Sequence, residues 1–306
     1  EQFMALVFAD AGRLVAIDAA GAVTAWTVPG GAAQALWQLP QRPLRVALGV
    51  DPQGLTVAAG VAFGATSVTL TAERAVGTET SPRTSTIAAG VPITALALDH
   101  AAGRLAVATC SERIGLATCG RGEVRVYAVA SGAEVAGPLA VDGVRGLVFA
   151  ADGRRLAGLV PGAPPVVWEL ADGERLALTV RRSLGEFIAA DFSADGDVLL
   201  ASAEADNAAL ALTLWDLRSG EELAPPLLAH NPAVGSVDPG AQRSVLLASH
   251  SGLVVSSSFD GVLLWDIADA TLTGRACMLA GRELTSAEWT RFLGRGEPRQ
   301  ALCAAP

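Results

Sequence analysis

LVFAADGRRLAGL, from Leu147 to Leu159, is a short apolar run, a tight turn containing Gly153, and a second apolar run. Two apolar segments flanking a glycine turn read as a pair of antiparallel strands. The same phrase stands upstream as LVFADAGRLVAI (Leu6–Ile17), VALGVDPQGLTVAAG (Val46–Gly60) and LALDHAAGRLAVAT (Leu96–Thr109). It returns downstream as ADFSADGDVLLASA (Ala190–Ala203) and LLASHSGLVVSSS (Leu246–Ser258). The turn glycines Gly12, Gly54, Gly103, Gly153, Gly196 and Gly252 are spaced by 42, 49, 50, 43 and 56 residues.

Each copy runs on into a third apolar segment with an aromatic near its end. These are Trp26, Tyr127, Trp168, Trp215 and Trp265, with Leu70 standing in for the aromatic in the second copy. A further glycine follows most of them (Gly30, Gly132, Gly173, Gly220), and a fourth segment then returns, as in AEVAGPL (Ala133–Leu139) and ERLALTV (Glu174–Val180). Four strands in a repeat of ~40–45 residues predict an all-β chain of β-propeller type, because one small sheet cannot bury its own faces and must stack on its neighbours. Six blades are visible. No strand precedes Phe3 and none completes the last copy, which leaves an apolar sheet edge of the kind natural proteins avoid. Residues upstream of Glu1 and a ring of seven blades are therefore expected; a ring of six closed by the tail is the alternative.

Past Ile267 the alternation stops, so the propeller is assigned to residues 1–267 and a helical tail to 268–306. Leu272, Ala276 and Leu279 fall at helical spacing. Thr285-Ser286-Ala287-Glu288 is a capping box. It is followed by the apolar stripe Trp289, Phe292, Leu293 and by Gly294 as a stop.

Composition narrows the function classes. Hydrophobic residues are 51% and charged residues 17%, which excludes a disordered chain. All 22 basic residues are Arg, the formal net charge is −9, and no basic cluster occurs, which argues against nucleic acid as a partner. No apolar run approaches the ~18–20 residues that span a bilayer. Without Lys, neither a P-loop nor a Schiff-base lysine can exist in this chain. Four Cys in 306 residues do not make a disulfide framework, so a reducing cytoplasm is expected. Cys110 and Cys119 read as two small buried thiols, with a metal or redox pair as the alternative. Cys277 and Cys303 read as helix-packing residues, with a disulfide as the alternative. Asp99, Asp152, Asp195 and Asp260 fall in turns, where a carboxylate can cap nearby backbone N–H groups.

LALTLWDLRSGEEL (Leu210–Leu223) and SSSFDGVLLWDI (Ser256–Ile267) resemble blades of the WD-repeat (WD40) family. The resemblance implies that each blade is pinned by a His between blades, a Ser in the second strand, an Asp in the next turn and a Trp in the third strand. His230, Ser256, Asp260 and Trp265 match those positions in the last copy, and Trp215 and Asp216 carry the Trp-Asp pair in the copy before it. The stretch from Ala276 to Cys303 is similar to the C-terminal tail of bacterial multidomain proteins, through Cys277, Arg282, Leu284, Thr285, Trp289 and Cys303. In those proteins a WD-repeat propeller follows a STAND-type NTPase, kinase or peptidase module.

What this implies is a non-catalytic sensor or protein-interaction scaffold, cytoplasmic, cofactor-free and monomeric within a larger signalling chain. Its target would be a protein partner or an attached effector domain. The insertions Glu73–Val91, Ser111–Gly122, Glu204–Ala209 and His230–Arg243 are the places for contacts, since loops on a rigid scaffold carry function. Arg74, Arg83, Glu112, Arg113 and Asn231 are their candidate partner-binding residues. The alternative is a metal-dependent propeller hydrolase or lactonase, which needs carboxylates such as Asp99 and Asp191 to converge on a central channel.

Overall fold

The computed structural model describes residues 3–10, 12–31, 33–51, 55–62, 64–74, 83–101, 103–114, 118–180, 185–204, 210–223, 226–230, 244–248, 253–258, 261–267, 274–275, 277–279, 281–292 and 303. Up to Ile267 the regular structure within them is all strand, arranged as six antiparallel sheets that follow one another along the chain. Sheet 1 is β1 (Phe3–Asp10), β2 (Arg13–Asp18), β3 (Ala22–Thr27) and β4 (Ala33–Gln38). Sheet 2 is β5 (Arg45–Val50), β6 (Leu55–Val61), β7 (Ser67–Arg74) and β8 (Arg83–Ala88). Sheet 3 is β9 (Ile93–Leu98), β10 (Arg104–Ile114), β11 (Thr118–Ala128) and β12 (Glu134–Ala140). Sheet 4 is β13 (Gly146–Phe149), β14 (Arg155–Leu159), β15 (Val166–Glu169) and β16 (Arg175–Leu176). Sheet 5 is β17 (Glu186–Phe192), β18 (Val198–Glu204) and β19 (Leu210–Asp216), with β20 (Glu221–Glu222) and β21 (Leu227–His230) both paired to β19. Sheet 6 is β22 (Ser244–Ala248), β23 (Leu253–Ser258) and β24 (Gly261–Asp266).

The repeat seen in the sequence is a repeat of register. Phe149, Leu156 and Trp168 stand opposite one another across the first three strands of sheet 4. Phe192, Leu199 and Trp215 do so in sheet 5, and Phe8, Leu14 and Trp26 in sheet 1. Sheet 3 has Leu98, Leu105 and Tyr127, and sheet 6 has Leu247, Val254 and Trp265. In sheet 2 the matching triple is Val50, Thr56 and Glu73. Leu70, expected at the aromatic's place, is instead buried in the junction with sheet 3.

Turn chemistry sets where each sheet folds back. Gly30, Gly132, Gly173 and Gly220, after the third strands, have φ between +68° and +76°, a conformation that a Cβ disfavours. Gly153 and Gly196 do the same in first turns, at +68° and +73°. Gly103 does not share that φ. There the Asp99 carboxylate holds the turn, accepting from the N–H groups of Gly103 at 2.8 Å and Arg104 at 3.0 Å. Gly54 and Gly252 lie outside the described residues.

Burial is distributed by junction, not by sheet. Among the described residues five apolar clusters occur, and each joins one sheet to the next. Val23 and Ala25 of sheet 1 meet Val50 and Ala58 of sheet 2. Val57 and Val68 meet Leu105 and Tyr127 at the second junction, and Val124 and Val126 meet Phe149 and Trp168 at the third. Val167 meets Phe192 and Trp215, and Leu212 and Leu214 meet Val254, with Trp265 packed alongside. The first strands lie side by side in series: β1 by β5, β5 by β9, β9 by β13, β13 by β17 and β17 by β22. Among the described residues β22 and β1 share no contact of that extent.

In the tail, residues 274–275 and 277–279 are helical, and α1 spans Ser286–Phe292. The capping box forms: Glu288 N–H donates to Thr285 Oγ1 at 3.3 Å, and Thr285 N–H donates to Glu288 Oε2 at 2.9 Å. Trp289 is buried. The side chain of Phe292, and residues Leu293 and Gly294, lie outside the described residues.

Candidate interaction surface

Antiparallel pairing sorts the connections into two sets. Links from second to third strand, and from the last strand to the next sheet, leave from one end of each sheet. Links from first to second and from third to fourth strand leave from the other end. A charged pair joins the first ends of sheets 4 and 5. Arg145, just before β13, donates from Nη1 to Glu186 Oε1 at the start of β17, at 2.8 Å. Arg45 opens β5, two sheets before β13. Burial, and then the positive charge of Arg145, lower its pKa from the usual arginine value. A cleft of about 280 Å³ bordered by Val141, Asp142, Val160 and Ala163 lies at the same end, between sheets 3 and 4.

The strands flanking three of the four sequence insertions leave from this end: β10 to β11, β18 to β19, and β21 to β22. Glu112 and Arg113 lie near the end of β10, and Asn231 lies outside the described residues. The Arg113 side chain also lies outside them. Arg74 and Arg83 flank the link from β7 to β8, at the opposite end. Arg83 is exposed, and the side chain of Arg74 lies outside the described residues. The four that lie on described strands are therefore not brought into one patch. Glu112 and Arg113 belong to one end, Arg74 and Arg83 to the other.

The most distinctive feature of the first end is a ribbon. β10 and β11 have 11 residues each, longer than any other strand among the described residues. Their pairing continues past Thr109 and Gly122, beyond the stretches paired with β9 and β12, to Ile114 opposite Thr118. Two register shifts interrupt it at Glu112. A disulfide between Cys110 and Cys119 ties the ribbon across, with Cα atoms 5.9 Å apart. Glu112 is exposed, and Ile114 at the tip is 61% exposed.

The cysteine expectations are corrected here. Cys110 and Cys119 are not two separate thiols, because antiparallel pairing folds a nine-residue separation into a cross-strand neighbour. Cys277 and Cys303 also form a disulfide, closing the tail. All four cysteines are thus paired. Disulfides form and persist in oxidising compartments, so the cysteines no longer support the cytoplasmic expectation.

The expected pinning groups are placed as follows. Trp265 Nε1 donates to Ser256 Oγ at 3.2 Å, and Ser256 is fully buried. Trp215 Nε1 donates instead to the Thr179 carbonyl at 2.9 Å, in the link between sheets 4 and 5. Asp216 caps the turn after β19, accepting from Ser219 Oγ at 2.8 Å and from the Arg218 N–H at 3.1 Å. These bonds hold its carboxyl below the usual range. Asp260 and the His230 side chain lie outside the described residues.

One network escaped sequence reading. Arg155 on β14 donates to Glu169 on β15, and across the junction to the Gly196 carbonyl at 2.6 Å and Asp197 Oδ1 at 2.9 Å. Asp197 also pairs with Arg218. The Arg155 side chain is only 11% exposed. No local spacing announces it, because its acceptors lie up to 42 residues away.

The carboxylates that a channel metal would require are engaged elsewhere. Asp99 is bound to Arg104 at 2.8 Å, and Asp191 Oδ1 accepts from the Phe192 N–H at 2.9 Å. Among the described residues no group of three or more His, Cys, Asp or Glu could hold a metal ion. No helix among them is long and apolar enough to cross a membrane. The chain matches no family model and no curated protein.

Proposed function

We propose that this chain is a protein-interaction and sensing scaffold, a β-propeller of WD-repeat type that presents loops from a rigid ring to a protein partner or an attached effector. The disulfide-tied ribbon β10–β11 carries the reading. A projecting two-stranded element is costly to order, and a covalent tie lowers that cost before any partner arrives. Its exposed Glu112 and apolar tip at Ile114 offer the mixture of charge and apolar surface that protein interfaces use. The strands that flank the links after Glu204 and His230 have those ends on the same side.

Site-specific photo-crosslinking in the producing cell tests this reading. A photoreactive residue at Glu112 is expected to give a defined adduct with a protein or with another domain of the same polypeptide. The same group at Ala101, an exposed turn residue at the opposite end, is expected to give none. Equal labelling from both positions, or none from Glu112, would contradict the proposal.

A further inference from the structure

Sheets 1, 3 and 4 begin their second strand with an arginine: Arg13 on β2, Arg104 on β10 and Arg155 on β14. Alternate residues of a strand share a face, and in each case the residues two and four further on pack against the next sheet. Val15 and Ile17 do so in sheet 1, Ala106 and Ala108 in sheet 3, and Ala157 and Leu159 in sheet 4. Each arginine therefore lies on the face that looks into that junction. Two of the three are engaged there. Arg104 pairs with Asp99 at 2.8 Å and lies over the Phe149 ring of sheet 4, 5.5 Å from its centre. Arg155 donates to Glu169 and, in sheet 5, to the Gly196 carbonyl and Asp197.

Arg13 differs. Its Nη2 is buried and has no hydrogen-bond partner among the described residues. The sheet it faces differs too. Where sheets 4 and 5 place Phe, Leu and Trp across their first three strands, sheet 2 has Val50, Thr56 and Glu73. Thr56 shares a face of β6 with Ala58, which packs against sheet 1, and Glu73 stands opposite Thr56 on β7. Thr56 is 0% exposed, and its Oγ1 and Glu73 Oε2 are both buried without a partner among the described residues. One junction thus holds a guanidinium donor, a hydroxyl and a carboxylate acceptor, each on the strand end nearest the first turn of its sheet. A buried polar atom left unbonded is costly, and a charged one more so.

We propose that Arg13, Thr56 and Glu73 form a buried binding site for one ordered water, which links the guanidinium of sheet 1 to the carboxylate of sheet 2. Water has the chemistry that fits. It accepts from Arg13 Nη2, donates to Glu73 Oε2 and makes a third bond with Thr56 Oγ1, and about three such bonds is what buried waters hold. A water needs room as well as partners, and Val50, Thr56 and Glu73 are each smaller than Phe192, Leu199 and Trp215 at the matching positions of sheet 5. Direct pairing of the two charges is not what the structure shows, since neither atom bonds to the other. The site fastens the end of β7 to sheet 1. It lies at the end of the sheets opposite the β10–β11 ribbon and stands whether or not that ribbon meets a partner.

A double-mutant cycle in the whole chain tests this. Arg13→Met and Glu73→Leu are each expected to lower the melting midpoint by roughly 5–10 °C, because each strands the opposite charge in the junction. The double variant is expected to melt no lower than either single one, since both charges then leave together. Additive losses would mean that the two charges share no partner and would overturn the proposal. A higher midpoint for Glu73→Leu alone would do the same, by showing that Glu73 stands unbonded. The unaltered protein supplies a check that needs no variant. Its crystal structure is expected to show one water within hydrogen-bond distance of Arg13 Nη2, Thr56 Oγ1 and Glu73 Oε2. Arg13 in direct contact with Glu73, or no water between them, would overturn the bridge even where the cycle shows coupling.

Discussion

Arg155 shows how a single side chain can join two sheets. It is nearly buried, spends its donors on Glu169, Gly196 and Asp197, and reaches Asp197 across a junction otherwise filled by Phe192, Trp215 and Val167. Replacing it with Met leaves Asp197 with Arg218 alone and is expected to cost about 2–3 kcal/mol of unfolding free energy in a urea titration at pH 7. The Arg155 hydrogen bond is the main cause holding the Asp197 carboxyl below its usual range. A lowered folded-state pKa stabilises above the unfolded value of ~4 and is lost as pH falls through the lower folded value. The difference between Arg155→Met and the unaltered chain should therefore shrink below about pH 4; a difference that stays constant would contradict this. Residues whose partners are local were legible from sequence: Asp152 and Asp195 cap turns two residues on, and Thr285 and Glu288 close the capping box. Arg155 was not legible, because its partners become neighbours only once two sheets have packed.

At the scale of the element, strand identity came from alternation and from glycines that need positive φ, both local properties. Strand length did not. The ribbon β10–β11 reads in sequence as an eight-residue loop between cysteines; in register Cys110 stands opposite Gly122 and Cys119 opposite Arg113, and the disulfide crosses the irregular stretch between them. Because the tie lies beyond the sheet, its loss should be felt locally. Reducing the protein, or replacing Cys110 and Cys119 with Ser, is expected to speed amide hydrogen exchange at Ser111–Ile114 and Thr118–Arg121 while β14 and β15 keep their protection. Uniform acceleration across sheet 4 would mean that the disulfide supports the whole molecule. In the same samples, taken from the native source, the thiols should accept an alkylating label only after reduction. Labelling before reduction would place the chain in a reducing compartment.

At the scale of the whole molecule, order in the chain becomes order in space: six sheets in sequence, five apolar junctions between them, and first strands side by side. Periodicity revealed this much, since a sheet that recurs with the same two apolar faces must stack on its own copies. The end of the sheets from which each insertion leaves was not legible, because the insertions fall on both kinds of connection and only strand direction separates them. The proposed ring arranges the sheets about a common axis with β1, β5, β9, β13, β17 and β22 innermost. A crystal structure of the protein measures that most directly. Six sheets radiating from those strands, with the β10–β11 ribbon at the same end as the link from β21 to β22, is the predicted result; two facing layers, with first strands at their outer edges, would contradict it.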